Sequence, residues 1–416
     1  MARKVITFLG ISPKEAVYRW KGKDYRGRVF AEALRQFVEF DQMLVFATEK
    51  AQAGSFYVLE GLRDARIECV PIKEGENTEE MWEIFRKVTE QVQEGETVIF
   101  DVTHGLRSIP FLSFLFIAYL KAAKRVTIEA VYYGALDMQR DGVAPVIDLS
   151  EFVQMLDWLT ATEQFIQTGN ARQLVGLLQE AEQHKDKRLT PVAKTLERVS
   201  QAAFLCQPFT LMKAIEDLGP TLDKAEETLS QVAPPFHLLS KEITGEFDSF
   251  KADFPAEPRR VLRAEYRLIR WYIEKNQLIQ AMSLAREFII DGIQYKFTGK
   301  LDRGSFARGL RSEFEQAVSG LPKVGGPSPQ GTGKFAEDHL NEYGRKIYLN
   351  DNGNWNERDL IIKAWGDLEG IRNGLDHAEH QKEPIPLNTL QKKAHKDVLP
   401  VLEKLAQAWG LSSDDE

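Results

Sequence analysis

The first 150 residues alternate between short apolar runs and segments whose apolar residues repeat at helical spacing. Five apolar runs predict buried strands, at residues 5–9, 43–47, 67–72, 97–102 and 126–133. Helical spacing between these runs predicts three helices, at residues 30–38, 81–88 and 109–120. Strands that alternate with helices imply right-handed crossovers and a mostly parallel sheet covered by helices on both faces. Residues 1–150 are therefore predicted to form a Rossmann-like α/β domain.

Beyond about Asp148 the pattern changes, and we find no segment that predicts a convincing strand. Apolar residues fall at the spacing of amphipathic helices through the rest of the chain. We expect a helical connector over residues 151–255 and an all-α domain over residues 256–416. Residues 320–333 hold five glycines and three prolines, which predicts a long loop inside the helical half.

Composition narrows the classes of function. The 416-residue chain carries a net charge of −8, so any contact with nucleic acid is expected at a local site. Its two cysteines form no CxxC pair, which argues against a disulfide framework and a cysteine zinc site. The N-terminus lacks the apolar core of a signal peptide, and the most apolar segment, residues 109–120, is too short to span a bilayer. We therefore expect a cytoplasmic protein without a membrane contact.

Three predicted strands end in small or polar residues. In an open parallel sheet, ligands bind beyond the carboxyl ends of the strands. These ends are residues 10–12, 48–50 and 101–105. The strand at residues 97–102 leads into the last of them, a turn with the sequence DVTHG that precedes an apolar helix. Main-chain N–H groups at the start of a helix suit a phosphate. The candidate ligand-binding residues are Gly10, Ile11, Ser12, Thr48, Asp101, Thr103, His104, Gly105, Leu106 and Arg107.

Two structural interpretations of this turn stay open. Asp101 and Thr103 could simply cap the following helix, and His104 could be a buried histidine whose hydrogen bonds are satisfied. No GxGxxG or GxxxxGK[ST] motif follows an early strand, so dinucleotide and P-loop sites are disfavoured.

A second candidate site lies near the C-terminus, at Arg372, Asn373 and His377. Histidine can act as a general acid or base, and arginine can neutralise the charge that builds on a phosphate, so the pair could cleave RNA without a metal. Five positions on a regular helix turn the side chain by roughly 140°, so Arg372 and His377 would not share a face. Either the helix is broken near Gly374, or a two-fold dimer completes the site. The structural alternative is a surface Arg372 in an ordinary salt bridge.

A stripe of four arginines has two interpretations. Arg259, Arg263, Arg267 and Arg270 fall on one helical face and could guide an RNA backbone. A solvated face paired with Glu265 and other acids is the favoured alternative.

Taken together, the two sites resemble the CRISPR-associated CARF–HEPN ribonucleases of type III systems. The resemblance covers nearly the whole chain and rests on the strand ending at residues 8–10, on residues 17–20, and above all on the DxTHG turn. In the helical half, residues 276–287 look like the first HEPN helices, and Arg372 to His377 fits the Arg-x4-6-His motif of HEPN domains.

The resemblance implies a signalling mechanism. A CARF homodimer would bind a cyclic oligoadenylate, with cyclic tetra-adenylate expected, and a HEPN dimer would then degrade single-stranded RNA. His377 would be the acid or base, Arg372 the phosphate stabiliser and Asn373 an orienting residue. The first loop carries Pro13 and lacks the second glycine of many relatives, so the ring size of the ligand stays open.

Two other functions stay open at this stage. The chain could be a ligand sensor or regulator without nuclease activity. It could also be a ring nuclease, in which Thr48, Thr103 or His104 positions the attacking 2′-hydroxyl of the bound ligand.

Overall fold

The computed structural model describes residues 2–105, 108–182, 188–254, 256–301, 309–324, 340–376, 380 and 384–411. The chain divides into two compact units, Met1–Asp157 and Trp158–Glu416. The three-part division at residues 150 and 255 stays a prediction.

Within the described residues, the first unit contains one sheet of eight strands in the order β3-β2-β8-β7-β6-β1-β4-β5. The strands are β1 (Arg3–Phe8), β2 (Ala16–Trp20), β3 (Lys23–Gly27), β4 (Gln42–Ala47), β5 (Ile67–Pro71), β6 (Thr97–Asp101), β7 (Thr127–Gly134) and β8 (Val143–Asp148). The central β1 pairs in parallel with β4 and with β6. Two pairings are antiparallel, β2 with β3 and β7 with β8, so the sheet is mixed.

Helices flank this sheet on both faces. They are α1 (Phe30–Leu34), α2 (Glu49–Ala51), α3 (Tyr57–Glu60), α4 (Thr78–Glu90) and α5 (Ile109–Lys124), with a π-helical turn at Gln52–Phe56 between α2 and α3. Neighbouring strand residues point into two different cores: Val5 and Val45 lie in one, and Ile6 and Leu44 in the other. Strands buried on both faces explain why the sequence shows continuous apolar runs there. The predicted α/β fold class is confirmed.

The second unit is built from helices. They are α6 (Ser150–Thr168), which begins at the end of the first unit, α7 (Arg172–Glu182), α8 (Thr190–Phe204), α9 (Pro208–Val232), α10 (Pro234–Phe247), α11 (Pro258–Glu274), α12 (Leu278–Thr298), α13 (Leu310–Gly320), α14 (Glu342–Tyr348), α15 (Arg358–Asp376), α16 (Leu387–Lys393) and α17 (Leu399–Ala408). No strand occurs among the residues of this unit that the structure describes. The predicted all-α second half is confirmed.

The glycine-rich segment at residues 320–333 lies mostly outside the described residues. Its described part ends α13 at Gly320 and continues as one 3₁₀ turn, Leu321–Lys323. A search of the described helices finds none that is both long and apolar enough to cross a membrane.

Candidate functional site

Three strand ends meet at one edge of the sheet, as the sequence predicts. In the parallel register, Thr7 of β1 lies opposite Val45 of β4 and Asp101 of β6. The loop after β1 packs closely against the π-helical turn after β4. The approach leaves room only for a glycine at position 54, since a Cβ there would lie 2.3 Å from the carbonyl oxygen of Ile11. The loop at residues 10–12, Thr48 and the turn at residues 101–105 therefore share one edge.

Asp101 supports the turn from inside the sheet. Its side chain is fully buried and accepts hydrogen bonds from the Thr7 hydroxyl (2.6 Å) and from the main-chain N–H of Thr103 (2.8 Å). Burial raises the pKa of this carboxyl, with an opposing effect from His104. Asp101 thus fixes the conformation of the turn and does not present its carboxylate to solvent.

The interpretation that Asp101 and Thr103 cap the following helix is wrong. Helix α5 begins at Ile109 with Ser108 as N-cap and no side-chain cap, so neither residue caps it. Thr103 instead accepts a hydrogen bond from the Gly134 N–H at 2.7 Å, which joins the turn to the end of β7. Gly105 adopts φ +115°, a conformation that a side chain would strain. Leu106 and Arg107 lie outside the described residues.

His104 has a structural hydrogen bond. The main-chain N–H of Phe30, the first residue of α1, donates to His104 Nε2 at 3.1 Å, so the imidazole caps that helix. A nitrogen that accepts carries no proton, so the ring is neutral with its proton on Nδ1. Burial lowers the pKa of His104, opposed by the charge of Asp101, in agreement with a neutral ring. The satisfied-histidine interpretation is therefore supported. The remaining donor, Nδ1, lies toward the first loop, about 3.8 Å from a Cβ built on Gly10.

The other candidate ligand residues divide into supports and exposed positions. The Thr48 side chain is buried and accepts from the Ala51 N–H at 3.3 Å, so Thr48 caps α2. Ile11 and Ser12 are exposed, which leaves them accessible to a ligand. Thr48 therefore orients the helix start beside the first loop.

Two residues beside this edge, Arg28 and Tyr57, were not identified from the sequence. The Lys14 N–H donates to the Arg28 carbonyl at 2.8 Å, which ties the first loop to the start of α1. The Arg28 guanidinium lies 5.9 Å from the centre of the Tyr57 ring, which is exposed. Neither residue belongs to a motif, and only the fold places both beside the first loop.

The C-terminal candidates lie at the end of α15. This helix continues through Gly374 to Asp376, so of the two alternatives a break near Gly374 is not found, and completion of the site by a second subunit stays a prediction. A Cβ on Gly374 would lie 3.0 Å from the end of the Ile385 side chain, so this side of α15 packs closely against Ile385. Arg372 is partly buried and Asn373 is exposed. His377 lies outside the described residues, so its predicted pairing with Arg372 stays a prediction.

The four arginines of α11 bond within their own unit. Their partners are the carbonyls of Gly410 (Arg259, 3.0 Å), Leu411 (Arg263, 3.3 Å) and Ser249 (Arg267, 3.3 Å), and the Glu274 carboxylate (Arg270, 2.9 Å). Glu265, expected to pair with them at the surface, is fully buried and interacts with Asp291 and Arg311. These bonds favour a structural role for the stripe over RNA guidance.

Comparison with known proteins agrees with the resemblance found in the sequence. A family model described as "CRISPR-associated protein MJ1674, second domain" matches residues 154–252. CRISPR-associated protein MJ1674 of Methanocaldococcus jannaschii is 28% identical over 190 residues, which are 44% of this chain. The chain is related to CRISPR-associated proteins. The relation to CRISPR-associated proteins that the resemblance implies is thereby confirmed, and the match spans 29% of the length of that relative.

A solved structure also aligns with the whole chain. It is described as Enterococcus italicus Csm6 bound to cyclic hexa-2′-fluoro-hexa-dAMP, and the alignment covers 100% of this chain and 96% of that one. The sequence identity is 11% and the TM-score 0.42, a likeness too low to carry an argument about function.

Proposed function

We propose that the chain is a cyclic oligoadenylate-activated, metal-independent endoribonuclease that degrades single-stranded RNA in type III CRISPR defence. The observation that carries the proposal is the internally braced DxTHG turn beside the first loop and Thr48, in a chain related to CRISPR-associated proteins. The resemblance adds the Arg372–His377 motif in the helical half. No cofactor is expected, and the cyclic oligoadenylate acts as an allosteric activator.

The chemistry of the turn suits a phosphate-bearing ligand. Asp101 is buried beneath the turn, so its carboxyl does not meet an incoming anion at the surface. Thr103 uses its oxygen as an acceptor and keeps its hydroxyl proton for donation. Arg28 places a guanidinium near the first loop, 3.8 Å from the Glu32 carboxylate. We expect phosphates of the ligand to lie over residues 103–105.

An exposed apolar face supports the proposed homodimer. Phe111, Phe114, Leu115 and Tyr119 repeat at helical spacing on α5 and are 71%, 38%, 43% and 43% exposed. Contiguous apolar surface of this kind marks interaction sites. Because α5 follows the turn closely, a two-fold contact through α5 would bring two turns toward one symmetric ligand.

The proposed cleavage step needs no metal. A general base removes the proton from an RNA 2′-hydroxyl, whose oxygen forms a bond to the adjacent phosphorus. The bond from phosphorus to the 5′-oxygen breaks, and a general acid protonates that oxygen. His377 supplies the acid or base, Arg372 neutralises charge on the phosphate, and Asn373 orients the site. Two copies of this set, one from each protomer, provide the two proton-transfer groups.

The direct test is cleavage of a labelled single-stranded RNA in EDTA, with and without cyclic tetra-adenylate. We expect ligand-dependent cleavage by the wild-type chain and a loss of at least a hundredfold in rate for His377→Ala, the range for a lost acid or base. Equal rates for the two proteins would reject the assignment of His377. Tight ligand binding without cleavage of any RNA would favour a sensor, and loss of intact ligand would favour a ring nuclease.

A further inference from the structure

The helical unit contains a pocket that the proposed function does not use. Its volume is about 810 Å³, within the range of small-molecule sites. The end of α8, the start of α9 and one side of α12 form its walls, with Leu301 and Arg311 beside them. Neither Arg372 nor Asn373 is among its described lining residues.

The rim of this pocket is apolar and exposed. Phe204, Leu205 and Ile279 are 71%, 62% and 58% exposed, although each is a large hydrophobic residue. All three line the pocket. Covering them with the apolar part of a ligand would remove this surface from water, which favours binding.

The polar end of the pocket holds two carboxylates and one guanidinium. Asp291, which is 4% exposed, and Glu287 both line the pocket and both accept hydrogen bonds from Arg311. Arg286 bonds to Glu287 and to Glu315, which extends the network from α12 to α13. Because Arg311 already donates to both acids, it is poorly placed to take up an anionic ligand.

Acidic groups outnumber basic groups in this network. Glu265 is fully buried beside Asp291, and neither of its carboxyl oxygens accepts a hydrogen bond from a described residue. Burial and the charge of Asp291 raise the pKa of Glu265 well above its ordinary value, and burial also raises the pKa of Asp291. Among the described residues, the network brings together four carboxyl groups (Glu265, Glu287, Asp291 and Glu315) and two guanidiniums (Arg286 and Arg311), so its acidic groups are in excess.

We propose that this pocket binds a small amphiphilic cation, an amine or guanidinium group attached to an apolar body. The cation lies against Glu287 and Asp291, where carboxyl groups outnumber guanidiniums, and the apolar body lies against Phe204, Leu205 and Ile279. A neutral ligand gains no attraction to these carboxylates, and an anion is repelled by them. Among the described lining residues, none belongs to the turn at residues 101–105 or to the Arg372 motif.

The experiment is calorimetric titration of the full chain with three probes that share one apolar body: 4-phenylbutylamine, 4-phenylbutan-1-ol and 4-phenylbutyrate. We expect the amine to bind at least tenfold more tightly than the alcohol, and the carboxylate to bind most weakly. Equal affinities for the three probes, or no binding of the amine at millimolar concentration, would overturn the proposal.

Variants separate the two halves of the site. Glu287→Gln should weaken the amine at least tenfold and leave the alcohol unchanged, whereas Glu315→Gln is the matched control because Glu315 belongs to the network without lining the pocket. Phe204→Ser, at an exposed position, should weaken amine and alcohol by the same factor. Unchanged amine affinity in Glu287→Gln, or an equal loss in both glutamate variants, would also overturn the proposal.

Discussion

At the scale of single residues, the turn is held by groups that lie beneath it. Asp101 joins β1 to the turn through Thr7 and Thr103, and His104 joins the turn to α1 through Phe30. These contacts give the turn one conformation before a ligand arrives, which lowers the entropic cost of binding. Substituting His104 should therefore act first on stability and only then on affinity.

The neutral state of His104 predicts a pH dependence. Its pKa is lowered on folding from the ordinary value of 6.5, so below pH 6.5 the unfolded chain binds a proton that the folded chain does not. Stability therefore falls as pH drops below 6.5, by at most about 1.4 kcal/mol per pH unit from this group. Thermal unfolding of wild type and His104→Gln between pH 5 and pH 8 measures the difference. An unchanged slope in His104→Gln would contradict the assignment.

At the scale of elements, the sequence predicted what depends on periodicity. Apolar runs identified five strands. β1, β4 and β6 are buried along most of their length on both faces, whereas β5 and β7 carry exposed residues between their apolar ones. The polar edge strand β3 and its partner β2 gave no such signal, and Pro145 interrupts β8. The DxTHG turn was found from sequence, but the partners of Asp101 and His104 lie 94 and 74 residues away and required the fold.

Contact between the first loop and the π-helical turn predicts a cost at Gly54. A Cβ in Gly54→Ala would lie 2.3 Å from the Ile11 carbonyl oxygen, so the backbone must shift. We expect a loss of about 1–3 kcal/mol in stability, the range for an overpacked site, together with weaker cyclic tetra-adenylate binding. Thermal unfolding measures the change in stability, and calorimetry measures the change in ligand binding.

The control is Gly176→Ala in α7. A Cβ at Gly176 meets no atom within 4 Å, so this substitution should stabilise the protein by about 0.5–1 kcal/mol. Equal effects of the two alanines would refute the contact.

At the scale of the whole molecule, one unit carries the braced turn and the other carries the Arg372 motif. The proposed homodimer gives the two sites a shared symmetry. The exposed apolar face of α5 (Phe111, Phe114, Leu115 and Tyr119) supports the homodimer. None of these residues belongs to the turn at residues 101–105.

Charge on the α5 face should separate the protomers. In Phe111→Asp combined with Leu115→Asp, two aspartates would face two more across the two-fold axis, with loss of the apolar contact. We expect sedimentation analysis to show a monomer for this variant and a dimer for wild type. Leu349→Asp, at an exposed apolar position in the second unit, should remain dimeric. A dimer that survives the α5 substitutions would move the interface elsewhere.

The stoichiometry of ligand binding tests the central claim most directly. Calorimetric titration of cyclic tetra-adenylate into the full chain should show tight binding of one ring for every two chains. Thr103→Val, which removes the hydroxyl and keeps the shape, should weaken that binding at least tenfold, which is about 1.4 kcal/mol. Binding of one ring per chain, or no binding of cyclic tri-, tetra- or hexa-adenylate, would contradict a two-fold sensor built on the turn at residues 101–105.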